Sequence, residues 1–208
     1  AGQGGAAGSL AEILTDAGRL DVTAAGDPAV GTSRRYPGGD VGGGPETPAM
    51  AIDNDPTTKY LNFDKAGSGL TITPSLGPTW LQGIALTTAN DAVERDPVKY
   101  ELSGSNDSID GPWTLISSGD IKDFAASAAW ARRTWLSKPI TFANTVSYKH
   151  YKLMFPACRG PGQNSMQIAE VEFLAPVYTA TAPSPADGAK GVTMGLLQWA
   201  KGDTATFH

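Results

Sequence analysis

The sequence has little of what most enzymes and disulfide-rich secreted scaffolds depend on. A single cysteine, Cys158, excludes an intrachain disulfide, and we expect it to be a half-buried, unreactive thiol. The two histidines, His150 and His208, do not have the spacing of a zinc site. The glycine loops that bind nucleotides and the Gly-x-Ser-x-Gly motif of serine hydrolases are also missing. We therefore expect no catalytic activity.

Charged residues and long apolar runs are scarce as well. Charged residues make up 18% of the chain and the net charge is −5 at pH 7, which argues against a nucleic-acid partner, since that would require a basic surface. No apolar run approaches the roughly 20 residues that span a bilayer. The 25 glycines and 15 prolines among 208 residues exclude coiled coils and helical bundles. We expect neither a nucleic-acid partner nor membrane insertion.

What the sequence does have, between residues 19 and 175, is a series of short runs rich in Val, Ile, Thr, Tyr and Phe. Clusters of Gly, Pro and Asp separate them, which is typical of an all-β domain. Segment 123–131 is either one helical turn or a loop. The predicted strands are residues 19–24, 69–74, 82–88, 97–104, 114–118, 132–136, 147–155 and 167–174. About eight such strands without a long helix predict a β-sandwich, and a jelly roll in particular.

Residues 148–155 show the alternation of a strand most clearly. Tyr151, Leu153 and Phe155 share one face, which we expect to lie in the core. The intervening side chains, among them His150 and Lys152, face the other way and are predicted to be mixed or exposed to solvent.

The two ends of the chain differ in composition from the predicted sandwich. Residues 1–18 form a Gly/Ala-rich arm, which resembles the mature terminus of an exported protein. Residues 176–185 are a Pro/Thr-rich linker. Residues 186–208 include Trp199 after a turn and resemble the start of a fibronectin type III-like sandwich, an incomplete immunoglobulin-like segment.

The most informative stretch is residues 50–63. Asp53 and Asp55 lie two residues apart and Thr58 follows, so hard oxygen ligands are concentrated as Ca²⁺ prefers. The loop is not an EF-hand, because Thr58 and Asp64 replace the required Gly and Glu. Spacing alone leaves two alternatives, a cation site and a solvated acidic turn.

Four segments in the same order resemble the discoidin, or coagulation factor 5/8 type C, family of galactose-binding-like jelly rolls. The segments are 21–28, 50–63, 99–107 and 164–173, with Trp113 as the aromatic residue after the next turn. The resemblance covers roughly residues 19–175. It implies a structural Ca²⁺ that joins the first loop to the last strand.

Carried over by position, the resemblance implies a specific ligand set. Side chains of Asp53, Asp55, Thr58 and Glu170 would bind the ion, with backbone carbonyls near Met50 and Ala169. Glu172 is the alternative to Glu170. Asn54 stands where glycine is commoner, but asparagine also tolerates a positive φ.

The resemblance also implies a glycan surface at one end of the sandwich. His150 lies in mid-strand and matches the ligand-binding histidine of galactose-specific members poorly. The candidate glycan-binding residues are Arg34, Arg35, Tyr36, Trp80, Trp130, Arg159 and Asn164.

Two functions are compatible with these features. The first is a calcium-stabilised structural or adhesive subunit of an extracellular, bacterial surface or filamentous assembly, whose partners are head-to-tail copies of itself. The alternative is a carbohydrate-binding module of a larger secreted glycan-degrading enzyme or adhesin, whose partner is a surface glycan. Asn106 lies in the sequence's one Asn-x-Ser/Thr motif, and Thr179, Thr181 and Ser184 are candidate O-glycan sites.

Overall fold

The structure, a computed structural model, describes residues 14–15, 19–176, 181–184 and 198–200. For residues 14–15, 181–184 and 198–200 it describes the backbone alone. The chain divides into two compact units, Ala1–Ala175 and Pro176–His208. In the second unit, the Thr181–Ser184 strand pairs antiparallel with the Gln198–Ala200 strand. Thr181–Ser184 falls within the segment predicted to be a linker. The other residues of the predicted fibronectin-like segment, and most of the N-terminal arm, lie outside the described residues.

The first unit is built almost entirely from strands. Its one described α-helix, α1, is Lys122–Ala125, and 3₁₀ turns occur at Pro48–Ala51 and Val93–Arg95. The strands are β1 (Leu14–Thr15), β2 (Arg19–Asp21), β3 (Ala29–Gly31), β4 (Tyr60–Asn62), β5 (Ser68–Ile72), β6 (Gly83–Thr87), β7 (Lys99–Ser105), β8 (Thr114–Asp120), β9 (Ile140–Thr141), β10 (His150–Phe155), β11 (Met166–Ile168) and β12 (Glu170–Pro176). No helix among the described residues is long and apolar enough to cross a membrane.

Two five-stranded sheets form a sandwich. One has the order β1-β2-β12-β6-β9 and the other β3-β5-β10-β7-β8, while β4 and β11 form a separate antiparallel pair. The alternation predicted in β10 is confirmed, since Tyr151, Leu153 and Phe155 are fully buried. Tyr151 meets Phe173 of the opposite sheet edge to face, with ring centroids 5.5 Å apart. The core therefore lies between the two sheets, as the all-β prediction requires.

Strand pairing places the long connections at one end of the sandwich, which we call the loop end. It is the end where β6 finishes at Thr87 and β12 begins at Glu170, since these two residues are paired. Backbone and side-chain hydrogen bonds connect its segments to one another. The loop end comprises residues 32–59, 88–98, 121–136 and 156–165. The opposite end, which we call the hairpin end, comprises residues 73–82, 106–113 and 142–149.

Three predictions about strands need correction. Residues 132–136 are not a strand: Arg133 has a φ of 52°, which interrupts an extended backbone, and only Trp135 forms an isolated bridge, to Thr87. Segment 167–174 is divided between β11 and β12, which pair with β4 and β6 respectively. Strands β3, β4 and β9 were not predicted, because two or three residues are too few to show alternation. Within 123–131, α1 covers the first residues and an irregular segment follows.

Candidate functional site

The loop that contains residues 50–58 gathers oxygen atoms around one hydroxyl group. Thr58 Oγ1 lies 2.9 Å from Asp53 Oδ2, 3.2 Å from the Met50 carbonyl oxygen and 3.0 Å from the Asp55 carbonyl oxygen. A hydroxyl donates only one proton, so it cannot satisfy all three oxygens by hydrogen bonding. The cluster is therefore suited to a cation that several oxygens bind together.

Glu170, the first residue of β12, lies beside this cluster and is 116 positions along the chain from Asn54, whose N–H it binds. Its side chain is fully buried; Oε2 accepts the Asn54 N–H at 3.2 Å, whereas Oε1 has no hydrogen-bond donor. Burial, followed by the neighbouring Asp53 carboxyl, raises the pKa of Glu170 to about 9. The fully buried Glu170 and the half-buried Asp53 bring two carboxyl groups together, and Glu170 Oε1 has no donor. A Ca²⁺ ion would supply the missing positive charge and fits this donor set.

Asn54 makes the approach between loop and strand possible. Its φ is 61°, the left-handed conformation for which the sequence predicts asparagine to be acceptable. This conformation directs the backbone N–H of Asn54 to Glu170.

The side chains of the other predicted ligands do not join this cluster. The Asp55 carboxylate accepts the Thr57 N–H at 2.8 Å and the Thr57 hydroxyl at 2.6 Å, so its carbonyl, rather than its carboxylate, joins the cluster. Ala169 is buried directly before Glu170. Glu172 instead lies near Asp21, away from the loop. In the described part of the chain no three His, Cys, Asp or Glu side chains form a metal cluster, so a cation here would depend on Thr58 and backbone oxygens.

Two of the predicted glycan-binding residues are exposed cations at the loop end. Arg34 Nε lies 2.9 Å from Asp40 Oδ1, and Arg35 Nε lies 3.0 Å from Asp64 Oδ1. Both arginine side chains are at least 60% exposed, so these ion pairs contribute little to stability and leave N–H donors accessible. Tyr36 is half-buried and packs edge to face on Tyr60.

The remaining candidates divide into different roles. Arg159 donates to the carbonyls of Phe124, Ala126 and Ser127, so its guanidinium fixes the end of α1 rather than facing solvent. Trp130 packs against the core and its indole N–H donates to the Trp135 carbonyl. Asn164 is exposed at the loop end. Trp80 belongs to the hairpin end, remote from the other six.

Sequence reasoning missed two polar contacts that shape the loop end. Lys59 is only 8% exposed, and its ammonium donates to Asp91 at 2.9 Å and Gln167 at 3.0 Å. Arg132 forms a two-pronged ion pair with the buried Asp96, at 2.5 and 2.6 Å. No local pattern announces either contact, because the partners are 32 to 108 positions apart.

The candidate modification sites are also placed. The Asn106 amide donates to the Ser147 carbonyl and accepts the Lys149 N–H, so a glycan there would disturb both hydrogen bonds. Cys158 is half-buried, and burial raises the pKa of its thiol to about 11, as expected of an unreactive cysteine. Thr179 lies outside the described residues, and the side chains of Thr181 and Ser184 are not described.

Solved structures that are similar to this chain include carbohydrate-binding modules from Clostridium perfringens. The Clostridium perfringens module CpGH89CBM32-5, in complex with GalNAc-β-1,3-galactose, has 22% identity, covers 72% of this chain and 94% of its own, and has a TM-score of 0.52. The family 32 module of NanJ from C. perfringens, in complex with galactose, has 20% identity, coverages of 71% and 93%, and a TM-score of 0.51. The module CBM32-3 from a family 31 glycoside hydrolase of C. perfringens has 21% identity, coverages of 76% and 94%, and a TM-score of 0.58.

These likenesses establish the fold. The predicted galactose-binding-like jelly roll is confirmed, and it is shared with family 32 carbohydrate-binding modules. No family model and no curated protein matches the sequence. The fibronectin type III-like character of residues 186–208 stays a prediction.

Proposed function

We propose that residues 19–175 form a non-catalytic, extracellular carbohydrate-binding module whose ligand surface lies at the loop end. The observation that carries this proposal is the jelly roll shared with modules solved with galactose and with GalNAc-β-1,3-galactose. Terminal galactose and N-acetylgalactosamine are therefore the first ligands to test. Such a module is a component of a larger secreted enzyme or adhesin.

The chemistry of the loop end supports this function. Arg34 and Arg35 offer accessible guanidinium donors, and Asn164 adds an exposed amide. Trp135, which sequence reasoning did not include, is 37% exposed there and offers an apolar ring. Sugars are recognised by such a combination, because the hydroxyl groups need directional polar partners and the C–H faces pack on aromatic rings.

A Ca²⁺ ion has a structural role in this proposal. Asp53, Glu170, Thr58 and the carbonyls of Met50 and Asp55 would hold it. When bound, it neutralises the two carboxyl groups and links the 50–58 loop to β12. The protein's own residues then present the glycan surface from a fixed loop.

A glycan microarray probed with the intact, calcium-loaded chain tests the function. We expect binding to galactose- or GalNAc-terminated glycans, weakened about tenfold by Arg35→Ala through loss of a charge-assisted donor. Lys149→Ala is the charge-matched control, because Lys149 is exposed at the hairpin end. Absence of binding to any glycan would overturn the function, and equal losses in the two variants would overturn its location.

A structural or adhesive role in a surface assembly is the second candidate. The described pair of strands, Thr181–Ser184 and Gln198–Ala200, favours it, because an antiparallel pair is marginally stable by itself and gains stability from packing against further strands. Native mass spectrometry and negative-stain imaging test this role. Long polymers that disappear when residues 1–18 are deleted would support strand exchange, and monodisperse monomers would exclude it.

A further inference from the structure

A cavity of about 360 Å³ lies on the outer face of the β3-β5-β10-β7-β8 sheet, and its lining includes Thr32 of the loop end and Asp110 and Trp113 of the hairpin end. Its volume is within the range of small-molecule sites, roughly 300–1,000 Å³. The sheet supplies its floor and the β7–β8 connection supplies a wall. The residues that carry the argument are Val30, Thr32, Asp110, Trp113, Lys152 and Met154.

The wall is held in a fixed conformation. Ser108 Oγ donates to the Gly111 carbonyl at 2.9 Å and accepts the Asp110 N–H at 3.1 Å. Gly111 has a φ of 101°, and a Cβ atom there would come within 2.7 Å of the Trp113 ring. The indole therefore packs directly on the backbone of Gly111. A ring positioned in advance costs less entropy when a ligand binds.

The floor combines apolar and polar groups. Lys152 Nζ lies 4.8 Å from the centroid of the Trp113 ring, and within the described segments no carboxylate comes within 4.0 Å of it. Val30 is 46% exposed and, with Met154, provides an apolar surface beside the ring. The ammonium of Lys152 thus keeps hydrogen-bonding capacity for a ligand.

The charges of the lining indicate the ligand class. Asp110 brings one negative charge and Lys152 one positive charge, so the cavity favours neither an anion nor a cation. An aromatic ring beside a carboxylate, an ammonium and the Thr32 hydroxyl suits a molecule with an apolar face and several hydroxyl groups. A neutral pyranose has both features.

The geometry points to a second carbohydrate subsite in this cavity, which takes one neutral hexose or N-acetylhexosamine against Trp113. The apolar face of the sugar packs on the indole, and its hydroxyl groups bond to Asp110, Lys152 and Thr32. The subsite shares no residue with the proposed loop-end ligand surface of Arg34, Arg35, Trp135 and Asn164. If both operate, one module engages two sugar units of a glycan.

Nitrogen-15 NMR of the intact, calcium-loaded chain tests this subsite, because each tryptophan gives its own indole N–H signal. The Trp113 signal is assigned with Trp113→Phe. The chain is titrated to high millimolar concentrations with galactose, GalNAc, glucose and GlcNAc. We expect at least one sugar to shift the Trp113 signal saturably, and Asp110→Asn and Lys152→Met each to weaken that binding about tenfold. Leu115→Ala is the control, because Leu115 lies on β8 and is 60% exposed; this substitution should leave sugar binding at Trp113 unchanged.

The possible results separate the two sites. A Trp113 signal that none of the four sugars shifts would overturn the subsite, as would a shift that neither Asp110→Asn nor Lys152→Met weakens. Shifts of the Trp130 and Trp135 signals with Trp113 unmoved would also overturn it while supporting the loop-end surface. A Trp113 shift that survives Arg35→Ala supports the subsite, whether or not the loop end binds sugar.

Discussion

The core between the sheets and the loop end are held together by different physical means. In the core, fully buried side chains such as Tyr151, Leu153 and Phe173 are apolar or aromatic and come from alternating strand positions. At the loop end, buried side chains such as Glu170, Asp96 and Lys59 are ionisable. Burying a charge is costly unless a partner compensates for it.

The stability of the two regions therefore depends on different features of the sequence. An apolar core needs only matching shapes, whereas every buried charge at the loop end requires a specific partner far along the chain. Asp96 forms an ion pair with Arg132, and the Lys59 ammonium donates to Asp91 and Gln167. Glu170 has no cationic partner among the described residues, and this observation supports our proposal that Ca²⁺ binds there.

The largest expected effect is in the core. Phe173→Ala removes a fully buried ring that packs on Tyr151, so we expect the free energy of unfolding to fall by about 3–5 kcal/mol. Urea unfolding followed by tryptophan fluorescence measures it. A loss below about 1 kcal/mol would show that the two sheets do not depend on this contact.

The next largest effect should come from the ion pair between Arg132 and Asp96 at the loop end. Substituting one partner should cost more stability than substituting the other. Arg132→Met leaves the Asp96 carboxylate, which is 1% exposed, buried without its partner, and we expect a loss of about 3 kcal/mol. Asp96→Asn leaves only Arg132, which is 23% exposed and can regain water, so its loss should be smaller. Urea unfolding of both variants checks the order; the reverse order would mean that desolvation of Asp96 is not the main cost.

Asp21 provides a smaller, pH-dependent effect. Burial is the main cause that raises the pKa of Asp21 to about 6, while Thr23 donates two hydrogen bonds to it. A pKa that is higher in the folded state means that the folded state binds the proton more tightly. Stability should therefore decrease as the pH rises from about 4 to about 6, and the cost persists at higher pH.

Asp21→Asn tests this effect because it keeps an acceptor for Thr23 and removes the charge. We expect the variant to be about 1–2 kcal/mol more stable than the wild type at pH 7, with little difference near pH 4. Thermal unfolding at both pH values measures the gain. A variant less stable at pH 7 than at pH 4, relative to wild type, would contradict the sign.

The smallest effect should come from the outer surface of the sandwich. Leu115 is 60% exposed on β8, so Leu115→Ala should change the free energy of unfolding by less than about 0.5 kcal/mol. The same urea experiment measures it. A loss comparable to that of Phe173→Ala would mean that another part of the protein covers this face.

The sequence was sufficient for the core but only partly for the loop end. Alternation within 148–155 predicted which side chains of β10 are buried, because the strand period is a local property. Segment 132–136 has strand-like composition but is irregular, since Arg133 adopts a left-handed backbone and Thr88 bonds to the Ala131 and Thr134 carbonyls. Such tertiary contacts override local propensity.

The candidate site, too, could be predicted from the sequence only in part. The 50–63 motif and a family resemblance were enough to bring Asp53, Thr58 and Glu170 together. Nothing local indicated that Arg159 would bind three carbonyls or that Trp113 would line a cavity. These outcomes depend on how distant loops pack against each other.

Calorimetric titration of Ca²⁺ into the chelator-treated, intact chain tests most directly the claim that an ion completes the loop end. We predict saturable binding at one site, weakened at least about tenfold by Glu170→Gln, which removes a charged ligand while keeping its shape. Asp107→Asn, at an exposed carboxylate of the hairpin end, should leave the affinity unchanged. A wild-type chain that shows no saturable Ca²⁺ binding, or binding that Glu170→Gln leaves intact, would contradict the account.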